Sequence, residues 1–327
     1  MADFRTIFPP FSSDLKISHT DRTLCTGSCF AEHMGSRLQK LKFPILLNPF
    51  GIVYNPVSIS QGFERILSGE KFQLEDLFEH LGLWHSFAHH GSFSLPDRQA
   101  ALDKINRSLL DARTFLEHAN RLIVTLGTAN VFVLKKNGTV VANCHKLPGQ
   151  EFERRRLSVG EVVNALGPVF EKLKELTASP LQIILTVSPV RHLRDGLVEN
   201  QRSKATLLLA AEELCKTLPN IRYFPSFEIL LDDLRDYRFY EEDMAHPNSL
   251  AVDYIWQYFE EAFFEEKTRQ LCRQIEKILA AANHRPFHPH SAEHRTFLEK
   301  QLAAVQEMES VFPHLDFSRE KEIFTRQ

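Results

Sequence analysis

Thr23-Leu24-Cys25-Thr26-Gly27-Ser28-Cys29-Phe30-Ala31 holds the transition from which the fold is read. Thr23 to Thr26 is a short, nearly uninterrupted run of β-branched and apolar residues, which predicts a strand buried on both faces. Gly27 and Ser28 then supply a turn and a helix-capping hydroxyl, and a helical pattern follows to about Lys42. Strand, Gly-Ser turn and helix together open a parallel α/β unit.

Further along, Pro44 to Leu47 reads as a second strand ending in the loop Asn48-Pro49-Phe50-Gly51. A mostly helical insertion covering the sheet is expected over about 57–119, with a loop from His80 to Pro96. Leu122–Leu126, Gln182–Val187 and Ile221–Phe224 are three more buried-strand runs, and Asn137-Gly138 between Val131–Lys135 and Thr139–Asn143 marks a hairpin. Helices are expected from about Ser158 to Leu176, Glu199 to Leu218 and Phe227 to Leu234. The chain after Pro247 reads as helical, interrupted by a Pro- and His-rich linker over Asn283–His290. These elements predict a three-layer αβα fold around a parallel sheet of about five strands, with residues 1–265 as the α/β domain and 266–327 as a C-terminal helical extension. Such sheets present ligands to the carboxyl ends of their strands, so Ser28, Gly51, Gly127-Thr128, Ser188–His192 and the segment after Phe224 are the residues to inspect.

Charge excludes several classes of partner. The 327 residues carry 39 Lys+Arg against 42 Asp+Glu, a formal charge of −3, without the basic clusters that nucleic acid or an anionic bilayer selects for. The opening residues lack an apolar targeting run and no apolar stretch is long enough to span lipid, so a cytoplasmic protein is expected. Five scattered cysteines without a Cys-x-x-Cys pair are expected to be reduced thiols. Phe is abundant, 26 residues against 6 Tyr and 2 Trp, which suits a filled core and a hydrophobic cleft.

Ser28 lies between a strand and a helix N-terminus, where unpaired N–H groups and the helix dipole stabilise negative charge. It reads either as a nucleophile or as a plain helix cap. Asp243-Met244-Ala245-His246 offers the matching base, since a carboxylate three residues before a histidine can hold one ring nitrogen and leave the other for a serine. Cys29 is a rival nucleophile, but helical rotation is expected to turn its side chain toward the core. His85, His89, His90, His145 and His192, with Arg191, form a candidate substrate-binding set or a set of structural histidines. His85-x3-His89 sits in a loop flanked by Gly82 and Gly91, so no metal and no cofactor are expected. The apolar stripe Leu271, Ile275, Ile278 and Leu279 either packs on its own domain or makes a homodimer contact.

Gly27-Ser28-Cys29-Phe30-Ala31 resembles the motif from which the GSCFA family takes its name. The resemblance continues through Asn48–Pro56, Leu83–His90, Asn143–Pro148, Thr186–His192 and Asp243–Pro247, and covers about residues 4–265. The family is grouped with SGNH, or GDSL-like, hydrolases, which implies a serine hydrolase: Ser28 as nucleophile, His246 as base, Asp243 orienting it, and Gly51 as an oxyanion donor. This chain departs from the SGNH pattern after Gly127, with Ala129 where an oxyanion-hole Asn is usual, and from the family at Asn130, where Trp is usual. The Ser28 backbone, Gly51, Thr128, Asn55 and Asn130 remain the candidate oxyanion donors. Removing one such donor commonly slows acyl transfer by about a hundredfold or more. The implied substrate is a small-molecule or glycan-linked acyl ester; the rival reading is a non-catalytic binding module that keeps the pocket.

Overall fold

Residues 5–325 are described by a computed structural model; Met1 to Phe4, on which part of the N-terminal reading rests, lie outside them. Strand β1 (Thr23–Gly27) is buried throughout and passes directly into helix α1 (Cys29–Lys40). Ser28 caps α1, its hydroxyl accepting the Phe30 N–H at 3.2 Å. Phe30, Met34 and Leu38 recur every four residues on the buried face of that helix. Strand β2 (Ile45–Leu47) is followed by α2 (Pro56–Ser68), the hairpin β3 (Leu77–His80) and β4 (Leu83–Ser86), and α3 (Arg98–Glu117). After β5 (Arg121–Leu126) comes a separate antiparallel sheet of β6 (Asn130–Leu134), β7 (Thr139–Val141) and β8 (Phe152–Arg156). The remaining α/β layer contains α4 (Val159–Leu176), β9 (Gln182–Val187), α5 (Leu197–Thr217) and β10 (Ile221–Phe224). A short α6 (Ser226–Glu228) runs into a π-turn, and α7 (Ser249–Phe263), α8 (Glu266–Ala282), α9 (Ala292–Val311) and α10 (Ser318–Thr325) complete the chain.

The main sheet has strand order β10-β9-β5-β1-β2, every neighbouring pair parallel. Successive side chains point to opposite faces, so the strands feed two cores. Leu24, Leu122, Val124, Ile183 and Leu185 meet the residues of α2, α3, α4 and α5 on one face. Cys25, Ile123, Ile184 and Phe224 meet α1 and α7 on the other. This is the expected three-layer arrangement, and the five strands fall where the apolar runs placed them.

Two features depart from the sequence reading, and a third takes one of the two courses that it left open. The stretch expected as a loop from His80 begins inside a hairpin whose turn is Leu81-Gly82, with φ of 52° and 74°. Both turn residues are left-handed, as a type I′ turn requires, but Leu in the first place hides the signal that Asn or Asp would give. Strand β8 was not anticipated because only Phe152 faces inward, while Glu153 to Arg156 are exposed. The apolar stripe of α8 packs within the chain: Leu271, Ile275 and Ile278 are buried in the same core as Leu38, Leu41 and Phe43, joined by Val305 of α9, Phe324 of α10 and Phe317 between those helices. Lys42 and Glu320 pair at 2.8 Å across this junction. No helix among the described residues is long and apolar enough to cross a membrane.

Candidate active site

The carboxyl ends of β1, β5 and β9 and the loop before α7 converge on one edge of the molecule. Asp243 opens that loop and its carboxylate is fully engaged. Oδ1 accepts the N–H groups of Ala245 at 2.9 Å and His246 at 3.0 Å, and Oδ2 meets His246 Nδ1 at 2.6 Å. The two backbone donors and the imidazole hold the carboxyl at about 2, below the ordinary aspartate range. The loop is itself pinned. Met244 is held at φ 56°, the Arg191 backbone N–H donates to Ala245 O at 3.0 Å, and the Arg191 guanidinium donates to Met244 O at 2.9 Å while lying over the rings of Tyr237 and Tyr240. Arg191, expected among substrate-binding residues, thus secures the Asp243–His246 turn.

His246 lines a cleft of about 940 Å³ that also includes Cys29 at the start of α1. With Nδ1 committed to Asp243, its Nε2 is the nitrogen left for chemistry. Cys29 is half-buried: it packs on the core, as expected of it, and it also lines this cleft, which was not expected. Burial raises its thiol above the ordinary range, which opposes a thiolate nucleophile. Ser28 is buried at 2% exposure, and the structure draws no hydrogen bond between its hydroxyl and His246.

The candidate oxyanion donors are mostly spent on structure. The Ser28 N–H donates to Thr125 O at 3.2 Å and the Gly51 N–H to Asn48 O at 2.7 Å. Asn55 caps α2, its Oδ1 accepting from Ser58 N and its Nδ2 donating to the Ser58 hydroxyl, both at 2.9 Å. The Thr128 hydroxyl lies 2.9 Å from Ser203 Oγ and accepts the Asn130 N–H at 3.1 Å. Gly51, Asn55 and Thr128 shape the strand-end loops through these bonds. Asn130 starts β6, paired with Arg156.

Lys204 on α5 was missed by the sequence reading and is the most buried cation of the site, at 1% exposure. Its ammonium donates to Gly127 O at 2.6 Å and Ser188 O at 2.7 Å, tying together the loops that leave β5 and β9. Burial lowers it to about 7, and it lies near enough to Cys29 and His192 to act on both. Its signal was available: Lys204 shares the buried face of α5 with Asn200, Leu207, Ala211 and Leu214, and a lysine on such a stripe needs a partner.

His192 is the expected histidine that the fold does bring here. Burial first, then the charges of Lys204, His246 and Arg154, lower it to about 3, so it is a neutral imidazole. Its ring lies 5.3 Å from that of Tyr54, and its Nε2 is buried without a hydrogen-bond partner. Gly127 lies beneath both: a Cβ there would stand 2.8 Å from Tyr54 Cβ and 3.3 Å from His192 Nε2.

The other four histidines are brought together elsewhere. His85 Nδ1 lies 2.6 Å from Ser94 Oγ and its Nε2 3.0 Å from His80 O. His145 Nε2 lies 2.8 Å from Ser86 O, with its ring 4.4 Å from that of His85. His89, almost fully buried, contacts Ser86 Oγ at 3.0 Å and packs among Phe50, Phe72 and Phe93. His90 caps a short turn by accepting the Ser92 N–H. These side chains stitch the β3–β4 hairpin to its surroundings, the structural one of the two roles open to them in the sequence. Among the described residues no group of three His, Cys, Asp or Glu is placed to hold a metal ion.

A parallel three-layer α/β domain with an Asp–His pair at the carboxyl edge of its sheet is the class that the geometry defines. The chain belongs to the GSCFA family, whose model matches residues 22–259; a second model, the C-terminal domain of GSCFA domain proteins, matches residues 275–327. No curated protein matches the chain.

Proposed function

We propose that the protein is a serine hydrolase acting on acyl esters, with Ser28 as nucleophile, His246 as general base and Asp243 as its orienting carboxylate. The observation that carries this reading is the Asp243–His246 pair. One imidazole nitrogen is fixed by a 2.6 Å contact, and the ring lines the cleft that reaches the first turn of α1. A carboxylate held at Nδ1 sets the tautomer that leaves Nε2 able to accept a proton, and stabilises the imidazolium that results.

In the reaction, the Ser28 hydroxyl turns from its capping position, and Oγ adds to the acyl carbon as Nε2 of His246 takes its proton. Collapse of the tetrahedral adduct breaks the bond to the alcohol, which leaves with that proton. Water, deprotonated by the same nitrogen, then releases the acid and restores Ser28. Negative charge on the adduct is met by the positive end of α1, whose Phe30 N–H is freed when the Ser28 hydroxyl leaves its capping position, with the buried Lys204 ammonium behind the strand ends. The five free thiols fit a reducing compartment such as the cytoplasm.

A second reading, a binding module that keeps the cleft without turnover, is favoured by one observation: the Ser28 hydroxyl is occupied as a cap and makes no hydrogen bond to His246. Hydrolysis of p-nitrophenyl acetate decides between them. Wild-type turnover reduced at least about a hundredfold in both Ser28→Ala and His246→Ala supports the hydrolase. Absence of turnover by folded wild-type protein, or turnover unchanged in either variant, overturns it.

A further inference from the structure

A tetrahedral adduct at Ser28 is met from α1 by the Phe30 N–H that the capping hydroxyl releases. On the strand side of the site, the donors expected from the sequence are engaged elsewhere. Ala129, at the usual asparagine position, is wholly buried in the apolar core with Leu126 and Val131, and its N–H donates to Ser203 Oγ at 2.7 Å. The Ser28 and Gly51 N–H groups and the Asn55 and Thr128 side chains are hydrogen-bonded within the strand-end loops. Asn130 has a partner of its own at the start of β6.

Tyr54 offers an uncommitted donor there. Its segment is tied to both strands that flank the nucleophile: the Val53 N–H donates to Gly27 O at 3.1 Å, and Tyr54 O accepts the Gly127 N–H at 2.8 Å. Gly27 and Thr125 are register partners in β1 and β5, so this segment crosses the two strand ends directly beside Ser28. The side chain lies against Gly127, with the His192 ring 5.3 Å away, and the His192 N–H is in turn held by Asn200 Oδ1 at 2.8 Å. Tyr54 is half-buried, and no hydrogen bond joins its hydroxyl to any described side chain. Burial first, then the Cys144 and Cys29 thiols, raise it above the ordinary tyrosine range, so the phenol keeps its proton at neutral pH. A positioned phenol without a partner in the free protein gains its hydrogen bond only when negative charge develops beside it.

We propose that Tyr54 is the second oxyanion donor of the reaction, its phenolic O–H donating to the adduct oxygen from the strand side while the Phe30 N–H meets it from α1. The assignment rests on the hydrolase reading. No proton changes hands at this residue: the bond strengthens as the carbonyl oxygen becomes an oxyanion, weakens on collapse, and the proton stays on the phenol. Steady-state hydrolysis of p-nitrophenyl acetate by the full chain tests it in wild type, Ser28→Ala and Tyr54→Phe. The Phe variant removes one oxygen and keeps the ring against Gly127, and its kcat is expected to fall at least about tenfold with KM changed less than about threefold. Incorporation of 3,5-difluorotyrosine in place of Tyr54 nearly preserves the shape and acidifies the phenol, so the alkaline limb of the kcat–pH profile should move at least about one unit toward neutral. A ring that only supports His192 would leave that limb where it is. A smaller fall in kcat, a loss that falls on KM instead, or an unmoved alkaline limb overturns the role of Tyr54; the hydrolase stands in that case if Ser28→Ala abolishes the wild-type turnover. Absence of turnover by folded wild-type protein overturns both.

Discussion

Asp243 gathers three donors onto one carboxylate, so at the residue scale the reactivity of His246 depends on a side chain that need not touch substrate. Asp243→Asn is expected to cut ester turnover by about a hundredfold or more by releasing the imidazole tautomer, with the melting temperature little changed because the turn is exposed. Parallel kinetics and thermal melts check this. Lys204→Met should act differently. It leaves two buried carbonyls, Gly127 O and Ser188 O, without their donor, each lost partner costing about 1–3 kcal/mol, offset in part by relief of the buried ammonium. A net loss of stability on urea denaturation, together with lower turnover, is the expected outcome. Gly127→Ala would drive a methyl to 2.8 Å from Tyr54 Cβ and shift His192, and a loss of about 1–3 kcal/mol is expected in the same assay. Ser28, Asp243 and His246 were legible as candidates because their chemistry is written in local turns. Lys204 shows in the sequence only as a lysine on an apolar stripe; its partners lie 77 and 16 residues away in the chain, so what it does there appears only where α5 packs across the strand ends.

Among the elements, the β3–β4 hairpin and its histidines set an acid limit. Burial lowers His89 to about 3 and His145 to about 4; His19, buried against Phe43, falls to about 4 and His192 to about 3. Each is neutral in the folded chain and gains a proton near pH 6.5 when unfolded. Their contribution to stability is fully present above pH 6.5. It is lost as pH falls from 6.5 toward 3–4, by up to about 1.4 kcal/mol per pH unit for each group that protonates on unfolding. A melting temperature that drops steeply between pH 6.5 and 4.5, with a shallower drop in His89→Phe, is expected by calorimetry. An unchanged melting temperature across that range would show that these rings are solvated. The same element marks the limit of pattern reading. Strands β1, β5, β9 and β10 were legible because a parallel strand between two helical layers is apolar on both faces. Strands β3, β4 and β8 pair at the periphery, where one apolar face and an unusual Leu-Gly turn leave little periodicity to read. The histidines there read in sequence as either substrate-binding or structural, since imidazole chemistry is the same whether its partner is a substrate or Ser86.

On the scale of the whole molecule, α8, α9 and α10 pack into the core that carries α1. Leu38, Leu41 and Phe43 share that core with Ile275, Val305, Phe317 and Phe324. A chain ending at Glu265 would expose this apolar surface, and it is expected to express insolubly or to melt without a cooperative transition. A cooperative melt at the wild-type temperature would contradict the shared core. The sequence reading placed a helical extension here and left its apolar stripe with two destinations. Which one holds depended on what lay opposite α8, information carried by α1 more than two hundred residues earlier in the chain.

An activated Ser28 is caught by treating the intact chain with a fluorophosphonate and locating the adduct by peptide sequencing in a mass spectrometer. Stoichiometric modification of Ser28 is expected, retained in Cys29→Ala and absent from Ser28→Ala and His246→Ala. A folded wild-type protein that takes no label, or takes it at Cys29 or elsewhere with Ser28 unmodified, would show that Ser28 is not an activated nucleophile.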